Sequence, residues 1–194
     1  MTRKLLSHRL RGFAELDQSA KSFKAISDYP LPYYEIDTRV TRDGEIFVYH
    51  DPWIRTPNGN RIKISDNTGS SIRAFSKEND CDLIDLDAAL KLYSENSVEG
   101  SKLCVDIKDF GFEQEHLELV AKHGLINKVV FVSWVPQTII KMSQISQDIP
   151  IILSCMLNQR TPRVAAILSR VISKQTFKLS DYLILGKDAH EPLP

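Results

Sequence analysis

Seven residues of this chain could act together chemically, and they sit on or at the ends of β-like runs. In Tyr33-Tyr34-Glu35-Ile36-Asp37-Thr38-Arg39-Val40, period-2 alternation puts Glu35, Asp37 and Arg39 on one face and Tyr34, Ile36 and Val40 on the other. In Leu103 to Lys108, Asp106 and Lys108 share a face in the same way, while one earlier run ends in His8-Arg9 and another in His50-Asp51. Glu35, Asp37 and Asp106 offer hard carboxylate oxygens, which suit Mg²⁺ or Ca²⁺ better than the metals that prefer thiolate or imidazole. Arg9 and Lys108 supply fixed positive charge for an anionic group, and Arg can fork onto phosphate oxygens. His8 and His50 titrate near neutrality and can serve as base and acid. A divalent cation, two cationic side chains and two imidazoles together point to displacement at phosphorus, where charge stabilisation and proton transfer carry the work. The competing reading is a sheet with one solvent-washed face of ordinary salt bridges. Against it, acids, bases and cations gather at the C-terminal ends of successive strands, where parallel α/β folds place their active sites.

The elements that must position these residues alternate. Strands are expected at 4–7, 33–40, 45–49, 103–107, 128–133, 149–155 and 182–185, and helices at 19–26, 85–93, 113–122, 137–145 and 162–172. Asp85 or Asp87 would cap the second helix. Residues 51–80, with Pro52, Pro57, Gly59, Gly69 and many Asn and Ser, read as an excursion of loops and short elements. Repeated strand–helix alternation argues for an α/β domain with a mainly parallel sheet. The helix at 162–172 reads as a solvated basic face, Arg163, Arg170 and nearby Lys174, over a buried stripe. His116 and His123 are expected to face solvent, and Trp53 to line an entrance or to pack.

Composition narrows the function classes. The 194 residues carry 25 Lys plus Arg against 25 Asp plus Glu, so the chain lacks the overall basic footprint of a nucleic-acid or anionic-membrane binder. A hydrophobic fraction of 42% is ordinary for a globular domain, and no apolar run approaches the roughly 18 residues of a membrane span. Cys81, Cys104 and Cys155 form no CxxC pair, so neither a disulfide scaffold nor a thiolate zinc site is indicated. With no signal-peptide pattern in the first residues, a reducing, cytoplasmic setting is expected.

The order and spacing of these motifs resemble the glycerophosphodiester phosphodiesterase family. Ser7-His8-Arg9 is similar to the family's opening His-Arg-Gly, and Leu16-Asp17-Gln18-Ser19 falls where Pro-Glu-Asn-Thr stands, with Phe23 on the helix that follows. Glu35-Ile36-Asp37, Asp43-Gly44 and His50-Asp51-Pro52 match the Glu-x-Asp strand, the Asp-Gly turn and the His-Asp terminus, and Arg55-Thr56 resembles its Arg-Thr. Leu103 to Lys108 looks like the strand that normally ends Glu-Ile-Lys. The likeness is dense over 4–110 and an outline over 130–153. Leu10 stands in place of glycine, and Asp106 in place of glutamate.

The resemblance implies an α/β fold of the TIM-type (β/α) barrel, here incomplete at the C-terminus with about six of eight strands, because such barrels take about 250 residues. Those strands would lie near residues 5, 35, 105, 131, 152 and 184, with 45–49 as an accessory strand. Residues 1–194 would form one domain with a small insertion at about 51–80 that helps select the glycerol end of the substrate. Open edges at the first and sixth strands would favour a homo-oligomer. Carried over residue by residue, Glu35, Asp37 and Asp106 would hold one divalent cation, Mg²⁺ or Ca²⁺. His8 and His50 would be the acid–base pair, and Arg9 and Lys108 would bind the phosphate. The implied reaction is hydrolysis of a small glycerophosphodiester to glycerol 3-phosphate and an alcohol: a substrate hydroxyl attacks phosphorus, and water opens the cyclic phosphate. The alternatives are a phosphodiesterase acting on another phospholipid-derived diester and a truncated, inactive relative serving as a binding or assembly module. No nucleic-acid partner is implied.

Overall fold

The strands of the sheet are short, and most of them turn apolar side chains toward helices. The computed structural model describes residues 5–154. β1 (Leu6–His8) leads through a loop to α1 (Ala20–Lys24), where the Ser19 hydroxyl accepts from Ser22 N as an N-cap, and then to a 3-10 turn at Ala25–Asp28. β2 (Tyr33–Val40) and β3 (Ile46–Val48) form a hairpin through Asp43-Gly44, with Gly44 at φ 86°. β4 (Trp53–Arg55) and β5 (Arg61–Lys63) make a second, separate hairpin, followed by a 3-10 turn and α2 (Gly69–Glu78). Then come α3 (Leu86–Asn96), β6 (Lys102–Ile107), α4 (Glu113–Lys122), β7 (Val129–Ser133), α5 (Pro136–Ile145) and β8 (Ile151–Leu153).

The main sheet runs β1-β2-β6-β7-β8, all parallel, with β3 added antiparallel to β2. Five parallel strands in chain order, with helices between them, are the first part of a (β/α) barrel. The strand expected near 184, the helix at 162–172, Cys155 and His190 lie outside the described residues. One face of the sheet packs Tyr34, Ile36, Leu103, Val105 and Phe131 against helix residues such as Phe23, Leu90 and Val120. The other carries Cys104, Val130 and Val132 in a smaller cluster. Both faces therefore bury their apolar side chains, as parallel sheets require.

Three expectations are corrected. Residues 51–80 contain a ten-residue helix and not only loops and short elements: Thr68 caps α2 through Ser71 N, and the Glu45 carboxylate lies close against Gly69 at its first turn. Ile54, Ile64 and Ile72 join Phe47 in a core of their own. His116 does not face solvent. It is fully buried: its Nδ1 lies 2.7 Å from the Phe112 carbonyl, which can only accept, so Nε2 is left to take the Thr38 hydroxyl at 3.0 Å. His123 is largely covered too, with Nε2 2.7 Å from Asp87 Oδ1. Asp85 caps α3 by accepting from Ala88 N, which leaves Asp87 free for His123 and Lys122. Trp53 lies in the β4–β5 hairpin with the Arg61 guanidinium 5.1 Å from its ring centre.

Candidate active site

The face of β2 that carries Glu35 and Asp37 is not washed by solvent. Register aligns Asp37 with Asp106 across β2 and β6, and His8 with Glu35 across β1 and β2, so three strands deliver their polar residues to one place. Glu35, Asp37 and Asp106 are 7%, 1% and 5% exposed, and each offers a carboxylate oxygen to a group whose members lie within 4.8 Å of one another. Buried like charges at that spacing repel strongly unless protonated or neutralised.

Two cations partly neutralise them. Lys108 Nζ sits 2.8 Å from Asp37 Oδ1 and 2.5 Å from Asp106 Oδ2. Arg9 Nε lies 3.1 Å from Asp37 Oδ2, off the line of a hydrogen bond, and the Lys108–Asp37 contact is likewise a close ion pair without hydrogen-bond alignment. Among the described residues, three carboxyls thus face two fixed cations. The deficit falls on Glu35: burial and the neighbouring Asp37 push its carboxyl up to about 8, although the Arg9 amide donates to its Oε2 at 2.9 Å. Burial also raises Asp106, with Lys108 pulling the other way. For Lys108 burial disfavours the ammonium, but Asp106 and Asp37 outweigh it and hold the side chain charged. Asp106 Oδ1 is buried with no hydrogen-bond partner among the described residues. An orphaned carboxylate oxygen inside an all-oxygen, net-acidic cluster fits a hard divalent cation.

The imidazoles stand at the rim. His8 is about two-fifths exposed, with Nε2 3.8 Å from Glu35 Oε2, too far for a hydrogen bond; partial burial and Arg9 lower its pKa. His50 Nδ1 lies 2.6 Å from Asp51 Oδ1, a bond that holds the Asp51 carboxyl below its ordinary range. Arg39 is the third charged residue of the β2 face but turns away. It donates to the His50 carbonyl at 2.9 Å and to Asp109 Oδ1 at 3.0 Å, so it fixes the His50 backbone and leaves the carboxylates alone.

The turn after Arg9 is made without glycine. Arg9 and Leu10 both take left-handed conformations, at φ 61° and 50°, and Leu10 is fully buried in the main core. Such conformations cost roughly 1–2 kcal/mol each in a non-glycine residue, which the burial of Leu10 offsets. The strain aims the Arg9 amide at Glu35 and its side chain at Asp37.

Gln18 and Asp51 are the site residues that sequence reasoning missed. Gln18, also left-handed at φ 57°, donates from Nε2 to Asp37 Oδ2 at 3.3 Å, and its Oε1 accepts from Asp37 N at 2.5 Å. Its signal was its place in Leu16-Asp17-Gln18-Ser19. Asp51 was legible only as the neighbour of His50.

No family model matches the sequence, and no curated protein matches it. Solved structures do match by shape. A protein from Agrobacterium tumefaciens assigned as a glycerophosphoryl diester phosphodiesterase superposes with a TM-score of 0.72 at 19% identity, over 89% of this chain and 73% of that one. A glycerophosphodiester phosphodiesterase from Thermotoga maritima gives 0.67 at 17%, over 90% and 71%. A phosphodiesterase from Oleispira antarctica, solved with its product sn-glycerol-3-phosphate, gives 0.64 at 17%, over 85% and 72%. At these identities the likeness establishes a shared fold.

Proposed function

We propose that this chain is a phosphoric diester hydrolase of the glycerophosphodiester phosphodiesterase family, cleaving a glycerophosphodiester to glycerol 3-phosphate and an alcohol. The observation that carries the reading is the buried trio Glu35, Asp37 and Asp106 flanked by Arg9, Lys108 and two rim imidazoles, on the fold these phosphodiesterases share.

Glu35, Asp37 and Asp106 hold one divalent cation, Mg²⁺ or Ca²⁺, which when bound supplies positive charge for the phosphoryl oxygens. Arg9 and Lys108 provide the remaining positive charge around the phosphate. Their present contacts with Asp37 and Asp106 keep both groups at the mouth of the cluster. His8 and His50 move the protons. Asp51 accepts the Nδ1–H of His50, which fixes the tautomer and leaves Nε2 to exchange a proton with substrate. His8, held neutral by burial and Arg9, has a ring nitrogen able to take one. In the first step a glycerol hydroxyl loses its proton to one imidazole and attacks phosphorus, and the other imidazole protonates the departing alcohol. In the second, water opens the cyclic ester with the roles reversed.

The hairpin and helix between 51 and 80 form an insertion of the same domain, resting on a small core shared with Phe47 of β3 and selecting the glycerol end. Cys81 and Cys104 are free thiols, which suits a reducing cytoplasmic setting. No helix of the described residues is long and apolar enough to cross a membrane. Among the described residues β1 pairs only with β2, and we extend the proposal to a homo-oligomer formed through open sheet edges.

The test is release of glycerol 3-phosphate from glycerophosphocholine and glycerophosphoethanolamine, with Mg²⁺, Ca²⁺ or EDTA, beside His50→Ala. Cation-dependent release that vanishes in the variant is expected. No release from a folded sample would move the assignment to another diester or to an inactive relative.

A further inference from the structure

The edge of β2 opposite β6 is served by two different strands. β1 covers residues 33–35, β3 covers residues 38–40, and Asp37 falls in the gap between them. Its carbonyl is taken at the β3 end, where Tyr49 N donates at 3.0 Å. Its N–H has no strand to meet, because β1 stops at His8 and the chain turns away through left-handed Arg9 and Leu10. A buried backbone donor left unpaired costs about 1–3 kcal/mol. The Gln18 side chain fills the gap. Its Oε1 accepts the Asp37 N–H at 2.5 Å, as the next carbonyl of β1 would have done. That contact fixes the amide orientation, so Nε2 points at Asp37 Oδ2, 3.3 Å away. Its own backbone N–H donates to the Arg9 carbonyl at 3.1 Å, tying the amide to the residue whose side chain also reaches Asp37. Gln18 is 6% exposed, so water does not substitute for these contacts.

We propose that Gln18 is a positioning residue for the cation site: its side-chain amide stands in for a missing strand residue and sets both the backbone height and the carboxylate rotamer of Asp37. The inference rests on the reading that Glu35, Asp37 and Asp106 bind a divalent cation. Hard cations demand near-fixed ligand geometry, Mg²⁺ most of all. A free Asp37 carboxylate could rotate fully onto Lys108 or Arg9. Losing the amide should therefore weaken Mg²⁺ more than Ca²⁺, whose coordination is more tolerant.

The experiment titrates Mg²⁺ and Ca²⁺ calorimetrically into the full chain: wild type, Gln18→Met, which keeps length and volume but neither hydrogen bond, and Gln18→Asn, which keeps the amide one methylene short. Unfolding curves establish that each sample is folded under the conditions used. Gln18→Met should lower Mg²⁺ affinity tenfold or more and Ca²⁺ affinity by a smaller factor. Gln18→Asn should fall between it and the wild type, and this milder variant carries the test if Gln18→Met does not fold. Hydrogen exchange at the Asp37 amide should accelerate at least tenfold in the folded variants. A purely structural role would lower stability while leaving the affinity of folded molecules and the Mg²⁺/Ca²⁺ ratio unchanged, and that result overturns the proposal. If the wild type binds neither ion, the cation-site reading itself fails and takes this inference with it. Binding by the wild type with equal binding by the variants sinks the role of Gln18 alone.

Discussion

His116 should make this protein acid-sensitive in a way that can be isolated. The ring is fully buried under β2, where burial pushes its pKa down from 6.5 to about 4 against a weaker upward pull from the Phe112 carbonyl. A histidine with a depressed folded-state pKa is neutral when folded and takes up a proton on unfolding. Its contribution is therefore complete above 6.5 and is lost as pH falls towards 4. The slope is about 1.4 kcal/mol per pH unit, so crossing the whole window removes about 3 kcal/mol, a large share of a typical domain's 5–15 kcal/mol. The perturbation is His116→Gln, which can bond to the same two partners but cannot titrate. Urea unfolding in EDTA at pH 7.5, 6.5, 5.5 and 4.5 gives the stability of both proteins. Carboxyls whose pKa is raised by burial, Glu35 and Asp106 among them, are common to both and cancel in the difference. Wild-type stability should fall relative to the variant by about 1.4 kcal/mol for each unit below 6.5. Parallel curves, or an imidazole proton resonance titrating near 6.5 in the folded protein, would refute the buried neutral ring.

Further outcomes follow from the charge cluster and the turn beside it. Lys108→Met leaves three buried carboxyls with Arg9 as their fixed cation, so melting in EDTA should drop well below wild type and recover more strongly on adding Ca²⁺; an equal Ca²⁺-induced shift in both proteins would contradict the ion-pair reading. Because the Glu35 carboxyl stays protonated up to about 8, cation affinity should fall towards tenfold per pH unit below that value. Calorimetry with Glu35→Gln should show weak binding without that slope. Leu10→Gly relieves a left-handed conformation worth roughly 1–2 kcal/mol but empties a fully buried site, where such truncations cost about 2–5 kcal/mol. A net loss is expected by urea unfolding, and a gain would show that Leu10 is tolerated and not required.

The sequence was most informative where one period ruled a whole element. The alternation in 33–40 placed Tyr34 and Ile36 in the core and Glu35 and Asp37 together, and β2 spans the expected residues. It could not tell a buried polar face from a wet one, since that depends on β1 and β6 closing from both sides. The helix at 69–78 was hidden because Gly69, Ser70 and Ser71 are weak helix formers, and its stability comes from the Thr68 cap and from Ile72 packing on Phe47 and Ile54. His116 reads as polar in any sequence pattern, and only the Thr38 hydroxyl and the Phe112 carbonyl make its burial tolerable. Gln18 was visible as a motif position, yet its task arises from a strand that ends two residues too soon, which no local pattern records.

The insertion's small core has an evolutionary consequence. Ile54, Ile64 and Ile72 gather on Phe47, while the residues behind the charged cluster pack in a separate group around Tyr34, Val105 and Phe131. Mutations that reshape the hairpin and helix at 53–78 therefore bypass the main core and reach the sheet through Phe47 of β3 and the turn at Ile64–Asp66, which touches β2. Changes that keep clear of that seam let a lineage explore new recognition surfaces over an unchanged chemical floor. The division also marks 53–78 as the segment to exchange between homologues when a new preference is wanted from the same scaffold.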